Sequence, residues 1–276
     1  GAPRALDVAA GHSMTIVIHA RKLMMDGTLV DQSGMGDVYA NRAKNCESGV
    51  KPWVRDRSLK GRMALVGYGP SLHQTWERLR DYDTIITVSR AHDFLLEHGI
   101  RPTHHLDLDS RMHKVEFMSK PQKDIQYYLS THIHPAYVAK LNAAGAAVEM
   151  FHVGIEKYKA LDPRYPTLPP RFDAGVQAAE LMYQNGYREQ HWFGIEYGCA
   201  NGNTHAGLHW GVQHPPDARC IVDCDGRQFE STKLFFHGLL LAEEFLCNRA
   251  LVRCTIHGDG LLGHFLFTHP TLTRET

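Results

Sequence analysis

Short apolar runs alternate with longer amphipathic segments from about residue 59 onward. The run "RMALVGYG" keeps consecutive apolar residues instead of alternating with polar ones, which predicts a strand buried on both faces. The segment "SLHQTWERLRD" follows with helical spacing, and Ser71 stands where the N-cap of that helix would lie. The pair "DTIITVS" and "RAHDFLLEHG" repeats the order of strand and helix. This rhythm is typical of βαβ units.

The same alternation continues to the end of the chain. Further strands are predicted at "PTHHLDLDS", "QYYLSTHIH", "AVEMFHVG", "EQHWFGIEYG" and "LVRCTIHGDG". Further helices are predicted at "PAYVAKLNAAG", "AGVQAAELMYQNGY" and "STKLFFHGLLLAEEFLCNR". Strands joined through helices favour a parallel sheet, so we expect an α/β fold with a Rossmann-like, mostly parallel sheet flanked by helices.

The first 58 residues have a less regular pattern. "SMTIVIHARKLMM" is apolar enough for a strand or a helix, and "GDVYANRAKNCESGVKPWV" predicts an amphipathic helix that ends near Gly49. We therefore expect residues 1–58 to form a helical or extended N-terminal extension that packs on a main domain of residues 59–276.

Charge and composition exclude several classes of protein. Lysine plus arginine and aspartate plus glutamate both number 30, so the formal net charge of the 276 residues is zero. This balance disfavours a protein that coats nucleic acid through bulk charge, although a nucleic-acid acceptor at a local basic groove stays open. The sequence has no apolar run of about 18 residues, so we expect no membrane span.

The expected compartment is the cytoplasm. The N-terminus lacks a basic segment followed by an apolar core, so it does not read as a signal peptide. The six cysteines are scattered through the chain instead of forming the dense framework of a disulfide-stabilised protein. Free thiols in a reducing compartment are the simpler interpretation.

The first βα turn contains the residues Gly67, Gly69, Pro70 and Ser71. Glycine allows a phosphate to approach the backbone closely, and a helix N-terminus favours negative charge. Ser71 can cap the helix and also offer its hydroxyl group. The turn therefore predicts a site for the phosphates of a nucleotide, with a purely structural turn as the alternative.

Two carboxylates follow at the end of another predicted strand. Asp107 and Asp109 are two residues apart, so they lie on the same face of a strand and repel each other unless a cation or a hydrogen-bond donor lies between them. Mg²⁺ bound to substrate phosphates would supply that cation. The alternative is that one carboxylate caps a helix and the other pairs with Arg111.

A third candidate element is "FGIEYGCANGNTHAGLH", in which a predicted strand ends at Glu196 and a small polar loop follows. Asn201 and Asn203 would read substrate groups in this loop, and His205 would act as a general base or as a donor to a phosphate. The alternative for His205 is a histidine that only stabilises the loop. His132, near the end of a further strand, is a weaker candidate for the same role.

These motifs resemble the family of the 6-hydroxymethylpterin diphosphokinase MptE. The resemblance runs from about Leu59 to the C-terminus and is carried by "VGYGPSL", "GIRPTHHLDLDS", "FGIEYGCANGNTHAG" and "CTIHGDGLLG". The acidic motif is also similar to that of thiamin diphosphokinases. The glycine turn is similar to that of bacterial sialyltransferases and flagellin glycosyltransferases.

The resemblance implies a nucleotide-dependent transferase on a Rossmann-type domain of residues 59–276. In the diphosphokinase branch, ATP would pass a diphosphate to a hydroxyl or hydroxymethyl acceptor. The resemblance then implies these roles: Gly67, Gly69, Pro70 and Ser71 at the phosphates, Asp107 and Asp109 on Mg²⁺ and in catalysis, and His205 as the base that deprotonates the acceptor.

Two departures from the family pattern favour a different donor. Where diphosphokinases of this type carry an aspartate, this chain has Ser89 and Arg90, and Glu196 replaces a shorter aspartate. An arginine binds a diphosphate directly and lowers the need for a metal. A glycosyltransferase that uses a nucleotide-sugar, of the CMP-sugar type, is therefore the alternative, and a non-catalytic nucleotide-binding protein is the third hypothesis. The sequence leaves the acceptor and the oligomeric state open.

Overall fold

The structure is a computed structural model that describes residues 17–19, 38–154, 162–171, 173–200, 203, 205–206, 219–224, 226–249, 251–265 and 272–275. The strands are β1 (Val17–His19), β2 (Lys51–Pro52), β3 (Arg62–Val66), β4 (Ile85–Val88), β5 (His104–Asp107), β6 (Gln126–Ser130), β7 (Ala147–Val153), β8 (Thr167–Leu168), β9 (Glu189–Phe193), β10 (Arg219–Cys224), β11 (Arg227–Thr232), β12 (Arg253–His257) and β13 (Leu272–Glu275). The α-helices are α1 (Val38–Glu47), α2 (Leu72–Thr75), α3 (Ala91–Glu97), α4 (Lys114–Phe117), α5 (Pro135–Ala143), α6 (Ala174–Gln184), α7 (Lys233–Asn248) and α8 (Leu261–Phe265).

The main sheet has the strand order β13-β12-β9-β3-β4-β5-β6-β7-β2, and β8 pairs with β7. Each pairing in this sheet is parallel. Helices connect most of these strands, because a parallel neighbour is reached only by a crossover. The expected α/β fold with a parallel, Rossmann-like sheet is confirmed.

Strand β3 lies at the centre of the sheet and is buried on both faces, as its unbroken apolar run predicts. Met63 and Leu65 belong to an apolar cluster that also contains residues of α6 and α7. Ala64 and Val66 belong to a second cluster that also contains residues of α2 and α3. The alternation of side chains along a strand thus gives β3 two helical layers to pack against.

Two boundaries differ from the sequence-based expectation. Strand β9 ends at Phe193, so Glu196 lies in the loop beyond it. The helix expected after β3 is a four-residue α2 followed by a 3-10 helix, Trp76–Asp81. Ser71 occupies the N-cap position of α2, but its side chain makes no capping hydrogen bond.

A second, smaller sheet was not predicted from the sequence. It has the order β1-β10-β11, and β10 pairs antiparallel with β11. The chain leaves this hairpin directly into α7, whose first turn is capped by Thr232 accepting a bond from Phe235 N–H. None of the helices in the described parts of the chain is long and apolar enough to cross a membrane.

The described part of the N-terminal region packs on the main domain. Helix α1 forms where an amphipathic helix was predicted, and β2 pairs with the edge of β7. Asn41 donates to the carbonyl oxygen of Ser110 over 3.1 Å, and Asn45 donates to that of Ile133 over 2.7 Å. These hydrogen bonds from the side-chain amides fix α1 at the carboxyl ends of β5 and β6. A domain boundary near residue 58 stays a prediction.

The direction of chain progression reverses at β3. Strands β4 to β7 follow one another on one side of β3, whereas β9 lies on its other side. In open α/β sheets, ligands bind beyond the carboxyl ends of the strands at such a reversal. The region beyond β3 and its neighbours β9 and β4 is therefore where a site is expected.

Candidate functional site

The turn after β3 packs directly against the loop after β9, and we call these two segments (Gly67–Ser71 and Gly194–Glu196) the glycine junction. Gly67 N–H donates to Phe193 O and Gly69 N–H to Gly194 O, both over 2.8 Å. A Cβ atom at Gly67 would lie 2.5 Å from Gly194 O. Glycine is required here because two backbones touch, which is a different reason from the phosphate approach that the sequence predicts.

The next donor of the turn is also occupied. Ser71 N–H donates to Glu196 Oε1 over 2.6 Å, so a carboxylate of the protein lies where a phosphate was expected. Pro70 has no N–H. The predicted phosphate cradle of Gly67, Gly69, Pro70 and Ser71 therefore presents few free backbone donors in this arrangement. Its role in donor binding stays a prediction and must rest on other atoms.

Glu196 is 5% exposed, and its Oε2 atom has no hydrogen-bond partner in the part of the chain that the structure describes. Burial raises the pKa of Glu196 to about 7, although the bonds from Ser71 oppose the shift. The following residue, Tyr197, has a left-handed backbone with φ of 55°. Such backbone strain and buried, unpaired polar groups concentrate at functional sites.

A cationic rim, which we define as Arg90 and Lys114, lies beyond β4 and β5. The Arg90 guanidinium lies 4.8 Å and the Lys114 ammonium 5.0 Å from the centre of the Phe117 ring. Lys114 also donates to the hydroxyl of Ser89 over 3.2 Å. Ser89 directly follows β4 and has a left-handed φ of 52°, a rare conformation for a residue other than glycine. Two positive groups are thereby held on one aromatic ring.

Asp107 and Asp109 lie at the end of β5 as expected, but in different environments. Asp107 Oδ1 accepts from the N–H groups of Leu108 and Asp109, over 2.8 and 3.1 Å, while its buried Oδ2 has no partner among the described residues. Burial raises the pKa of Asp107, and the charge of Lys114 opposes this.

The carboxylate of Asp109 is engaged by cations. Arg111 donates to its two oxygens through Nε, over 2.8 and 3.1 Å, and through Nη2 over 2.5 Å, and Lys114 Nζ lies 3.6 Å from Oδ2. Burial would raise the pKa of Asp109, but the bonds from Arg111 and the charge of Lys114 lower it. The alternative pairing with Arg111 is thus what the structure contains.

The donor set fits Mg²⁺ only in part. Among the residues that the structure describes, no three acidic, histidine or cysteine side chains are grouped as metal ligands. Asp107 offers one oxygen without a partner, whereas both oxygens of Asp109 already accept from a guanidinium. Magnesium at these two aspartates stays a prediction that requires Asp109 to exchange its partners.

His205 lies beside the glycine junction, where the sequence placed it. Its ring centre is 6.2 Å from that of Tyr68 and 6.2 Å from that of Phe235 in the first turn of α7. Ala206 N–H donates to Tyr68 O over 2.9 Å and anchors this short segment to the turn. Asn203 is exposed, and Asn201 lies outside the described residues.

His132 lies away from the glycine junction, beneath α1. It is buried, and burial lowers its pKa to about 4. Asn41 Nδ2 donates to the carbonyl oxygen of His132 over 3.4 Å. A general-base role for His132, the weaker of the two histidine candidates, has no support from this position.

The sequence analysis missed a buried cluster on the other side of the junction. Tyr197 donates to Asp173 Oδ1 over 2.8 Å, and Asp173 caps α6 by accepting from Val176 N–H. Both ring nitrogens of His237 are buried without a partner among the described residues, and burial lowers its pKa against the effect of Asp173. The capping aspartate before an apolar helix was the one signal available; the histidine had none.

Comparison with protein families finds one model that matches, described as 6-hydroxymethylpterin diphosphokinase MptE-like, over residues 37–201. The matched segment is more than half of the chain and contains the glycine junction, the cationic rim and both aspartates. None of the curated proteins matches the chain.

A solved structure shares the fold of this chain. A MAf glycosyltransferase from Magnetospirillum magneticum AMB-1 superposes with a TM-score of 0.63 at 16% identity, covering 88% of this chain and 39% of that protein. A mammalian sialyltransferase matches with a TM-score of 0.43 at 13% identity, over 90% of this chain and 91% of that protein. The chain thus spans less than half of the MAf protein, and the first match supports the fold assignment.

Proposed function

Because the chain belongs to the 6-hydroxymethylpterin diphosphokinase MptE-like family, a family of transferases, we propose that it moves a glycosyl group from a nucleotide-sugar to a hydroxyl acceptor. The observation that carries this choice is the cationic rim. Arg90 and Lys114 are fixed over one aromatic ring at the carboxyl edge of the sheet, where a donor phosphate would lie.

The rim has the charge that this reaction needs. When the sugar leaves a nucleotide-sugar, the leaving phosphate gains negative charge, and guanidinium and ammonium groups stabilise that charge without a metal. Burial lowers the pKa of Arg90, and the neighbouring Tyr68 opposes this shift. An arginine that is partly removed from water interacts more strongly with an anion, because the local dielectric constant is lower.

His205 is the proposed base. Its ring lies near Tyr68 in the glycine junction, and Tyr68 in turn interacts electrostatically with Arg90. In the proposed step, His205 removes the proton of the acceptor hydroxyl, and the acceptor oxygen bonds to the anomeric carbon. The bond from that carbon to the phosphate oxygen breaks, and the nucleotide leaves with the electron pair.

The similarity in fold to a solved glycosyltransferase is consistent with the proposed glycosyl transfer. The MAf protein is described as a glycosyltransferase, and it shares the fold of this chain over 88% of the chain's length. The chain covers only 39% of that protein, so its sugar, acceptor and activity are proposals here.

Diphosphate transfer from ATP is the second candidate, and one observation favours it. Asp107 Oδ2 is buried without a partner among the described residues. A bound cation would supply the partner that a buried carboxylate oxygen normally has. The matching family is also named for a diphosphokinase. In this reaction Mg²⁺ would neutralise the phosphates, and His205 would deprotonate the acceptor.

One experiment separates the candidates. The protein is incubated with ATP and with CMP-, UDP- and GDP-sugars, with Mg²⁺ or with EDTA, and with a panel of hydroxylated acceptors. Release of a nucleoside mono- or diphosphate from a sugar donor in EDTA supports glycosyl transfer. AMP formed only with Mg²⁺ supports diphosphate transfer instead. If nucleotides bind but none of the donors is turned over, the result supports the non-catalytic hypothesis.

A further inference from the structure

We infer that Asp93 is a positioning residue of the cationic rim. Its buried carboxylate ties the segment that carries Lys114 and Phe117 to the helix that begins directly after Arg90. This inference rests on the proposed function, in which the rim binds the phosphate of the donor. It adds a residue whose effect on the donor is exerted through the two cations.

The rim is assembled from two segments that are distant in the sequence. Arg90 directly precedes α3, whereas Lys114 begins α4 and Phe117 ends it. Helix α4 has four residues, and none of them is fully buried. Because short helices depend on tertiary contacts for their stability, the position of α4 relies on the bonds made at its ends.

Asp93 makes such a bond one helical turn beyond the contact between Arg90 and Phe117. Its Oδ2 atom accepts hydrogen bonds from the Ser119 N–H over 2.8 Å and from the Ser119 hydroxyl group. Ser119 lies two residues after Phe117. The same two segments are therefore joined twice, by the guanidinium of Arg90 on the Phe117 ring and by the carboxylate of Asp93.

A chain of buried hydrogen bonds fixes the carboxylate of Asp93 from its other side. Asp93 Oδ1 lies 2.7 Å from His92 Nδ1, and His92 Nε2 lies 2.9 Å from the Tyr127 hydroxyl group. The Gln122 N–H donates to that hydroxyl oxygen over 2.9 Å. A proton on His92 Nδ1 satisfies each of these bonds, because Tyr127 then donates to Nε2. His92 and Tyr127 are fully buried, so the carboxylate has few alternative positions.

The charge of Asp93 is retained in this position. Burial would raise the pKa of Asp93, but the hydrogen bonds from His92 and Ser119 lower it. Because burying a charge costs free energy, the expected contribution of such a group is to fix one arrangement of its partners. One of those partners, Ser119, is an exposed residue beside the rim. This placement favours positioning of the rim over stabilisation of the core alone.

Positioning and charge predict opposite effects of removing this carboxylate. Asp93 and Glu97 both interact electrostatically with Arg90, and their negative charges oppose the binding of an anion. Loss of either charge alone would therefore strengthen the binding of inorganic pyrophosphate slightly. Loss of the bonds to Ser119 would weaken it, since α4 would no longer be held beside Arg90.

Isothermal titration calorimetry of the whole chain with inorganic pyrophosphate in EDTA tests the inference. We expect Asp93→Asn to bind pyrophosphate about tenfold more weakly, because the amide places a donor against the donors of His92 or Ser119. In a protein that also carries Lys114→Gln, the same change should weaken binding less than about twofold, since the cation that it positions is already absent. Ser119→Ala removes only the hydroxyl bond and should weaken binding about threefold.

Glu97→Gln is the matched control, because it also removes a negative charge near Arg90 but breaks only the exposed ion pair with Lys120. It should bind pyrophosphate as tightly as the unchanged protein or up to about twofold more tightly. Equal or tighter binding in a folded Asp93→Asn variant overturns the positioning role and leaves the proposed function intact. Equal losses with and without Lys114→Gln also overturn it, because the effect is then not exerted through the rim.

The exposed position of Ser119 keeps the test decisive if Asp93→Asn does not fold. Ser119→Ala is then compared with the unchanged protein, and equal affinity for pyrophosphate overturns the inference. Failure of the unchanged protein to bind pyrophosphate has a different meaning. It overturns the phosphate site at the rim, on which the proposed function depends, and the positioning role with it.

Discussion

The glycine junction and the cationic rim lie side by side at the same edge of the sheet, yet they are built in opposite ways. In the junction, the N–H groups of Gly67, Gly69 and Ser71 all bond to the protein itself, and a buried carboxylate lies at the centre. In the rim, Arg90 and Lys114 lie over an aromatic ring, with their charge at the mouth of the strands.

The difference shows that a glycine turn after a strand does not by itself identify a phosphate site. Helix α2 has only four residues, so it lacks the aligned peptide dipoles that make a longer helix attract an anion. In the proposed function, the charge of the side chains beyond β4 and β5 attracts the phosphate instead. The junction instead combines close backbone contact with a buried carboxylate that accepts a hydrogen bond from Ser71 N–H.

The backbone contact in the junction is the strongest feature to break. In Gly67→Ala, the new Cβ would lie 2.5 Å from Gly194 O, a backbone atom that cannot move without shifting β9. We expect a loss of about 3 kcal/mol in the free energy of unfolding, measured by urea denaturation. Gly198→Ala is the control, because its Cβ would meet Leu261 Cβ at 3.3 Å, and it should lose less than about 1 kcal/mol. Equal losses in the two variants would show that the junction is not tightly packed.

The carboxylate in the junction gives a pH signature. Burial raises the pKa of Glu196 from 4.5 to about 7, so the folded state holds this proton more tightly than the unfolded chain does. The contribution of the protonated Glu196 to the free energy of unfolding is fully present below pH 4.5, and it is lost as the pH rises through about 7. A shift of this size corresponds to a change on the order of 3 kcal/mol.

Glu196→Gln isolates this effect, because glutamine cannot titrate. The difference in unfolding free energy between the unchanged protein and this variant should decrease between pH 5 and pH 8. Burial lowers the pKa of His104, His132 and His257 to about 4, so their contributions are lost as the pH falls below 6.5. Those terms are common to both proteins and cancel in the difference. A difference that does not vary with pH would show that Glu196 is ionised at all these values.

The order of strands and helices was readable from the sequence because parallel strands carry unbroken apolar runs. β3 shows this directly, since four of its residues, Met63 to Val66, are fully buried. The edge strand β2 and the hairpin of β10 and β11 escaped prediction. β2 has only two residues and pairs with the distant β7, and β11 has a single apolar residue, Phe229. The apolar run of β10 has only three residues, Cys220 to Val222, which is too short to predict a strand by itself.

The sequence predicted which residues lie in the candidate site better than it predicted the hydrogen bonds and packing contacts between them. The sequence placed Arg90, His205 and Glu196 at strand ends, and the structure brings those ends to one edge. It could not show that Glu196 would bond to Ser71 N–H, because the two residues are 125 positions apart. Lys114 was missed for a similar reason: only the fold shows that it lies over the same ring as Arg90.

The rim provides the next test of the comparison. We expect Arg90→Gln to weaken the binding of inorganic pyrophosphate about tenfold, since one charge-assisted contact is removed. Arg90→Lys should lose less, because it retains the charge but not the planar guanidinium. Calorimetric titration at two salt concentrations measures both. Arg101→Gln is the control, because Arg101 pairs with Asp124 on an exposed surface before β5. Unchanged binding in Arg90→Gln would move the phosphate site away from the rim.

The smallest expected effect concerns Asp109, whose carboxylate partly neutralises the rim. Asp109→Asn removes the ion pairs with Arg111 and Lys114, at a cost of up to about 1 kcal/mol in stability, because the Arg111 side chain is nearly half exposed to solvent. It also leaves Lys114 with one negative neighbour fewer, so pyrophosphate should bind about two- to threefold more tightly in EDTA. Calorimetry on this variant and on Asp124→Asn, which breaks the ion pair on the far surface, measures the change.

If Asp109 is instead a ligand of Mg²⁺, the same substitution has the opposite consequence. Removing a carboxylate ligand would weaken binding of pyrophosphate in the presence of Mg²⁺ and would abolish formation of AMP from ATP. Tighter binding in EDTA with no loss in Mg²⁺ therefore supports a rim in which Asp109 acts only on its neighbouring cations. Weaker binding of pyrophosphate in the presence of Mg²⁺ would show that the carboxyl end of β5 holds the metal. The cationic rim would then bind phosphate through a metal ion and not through its own charges alone.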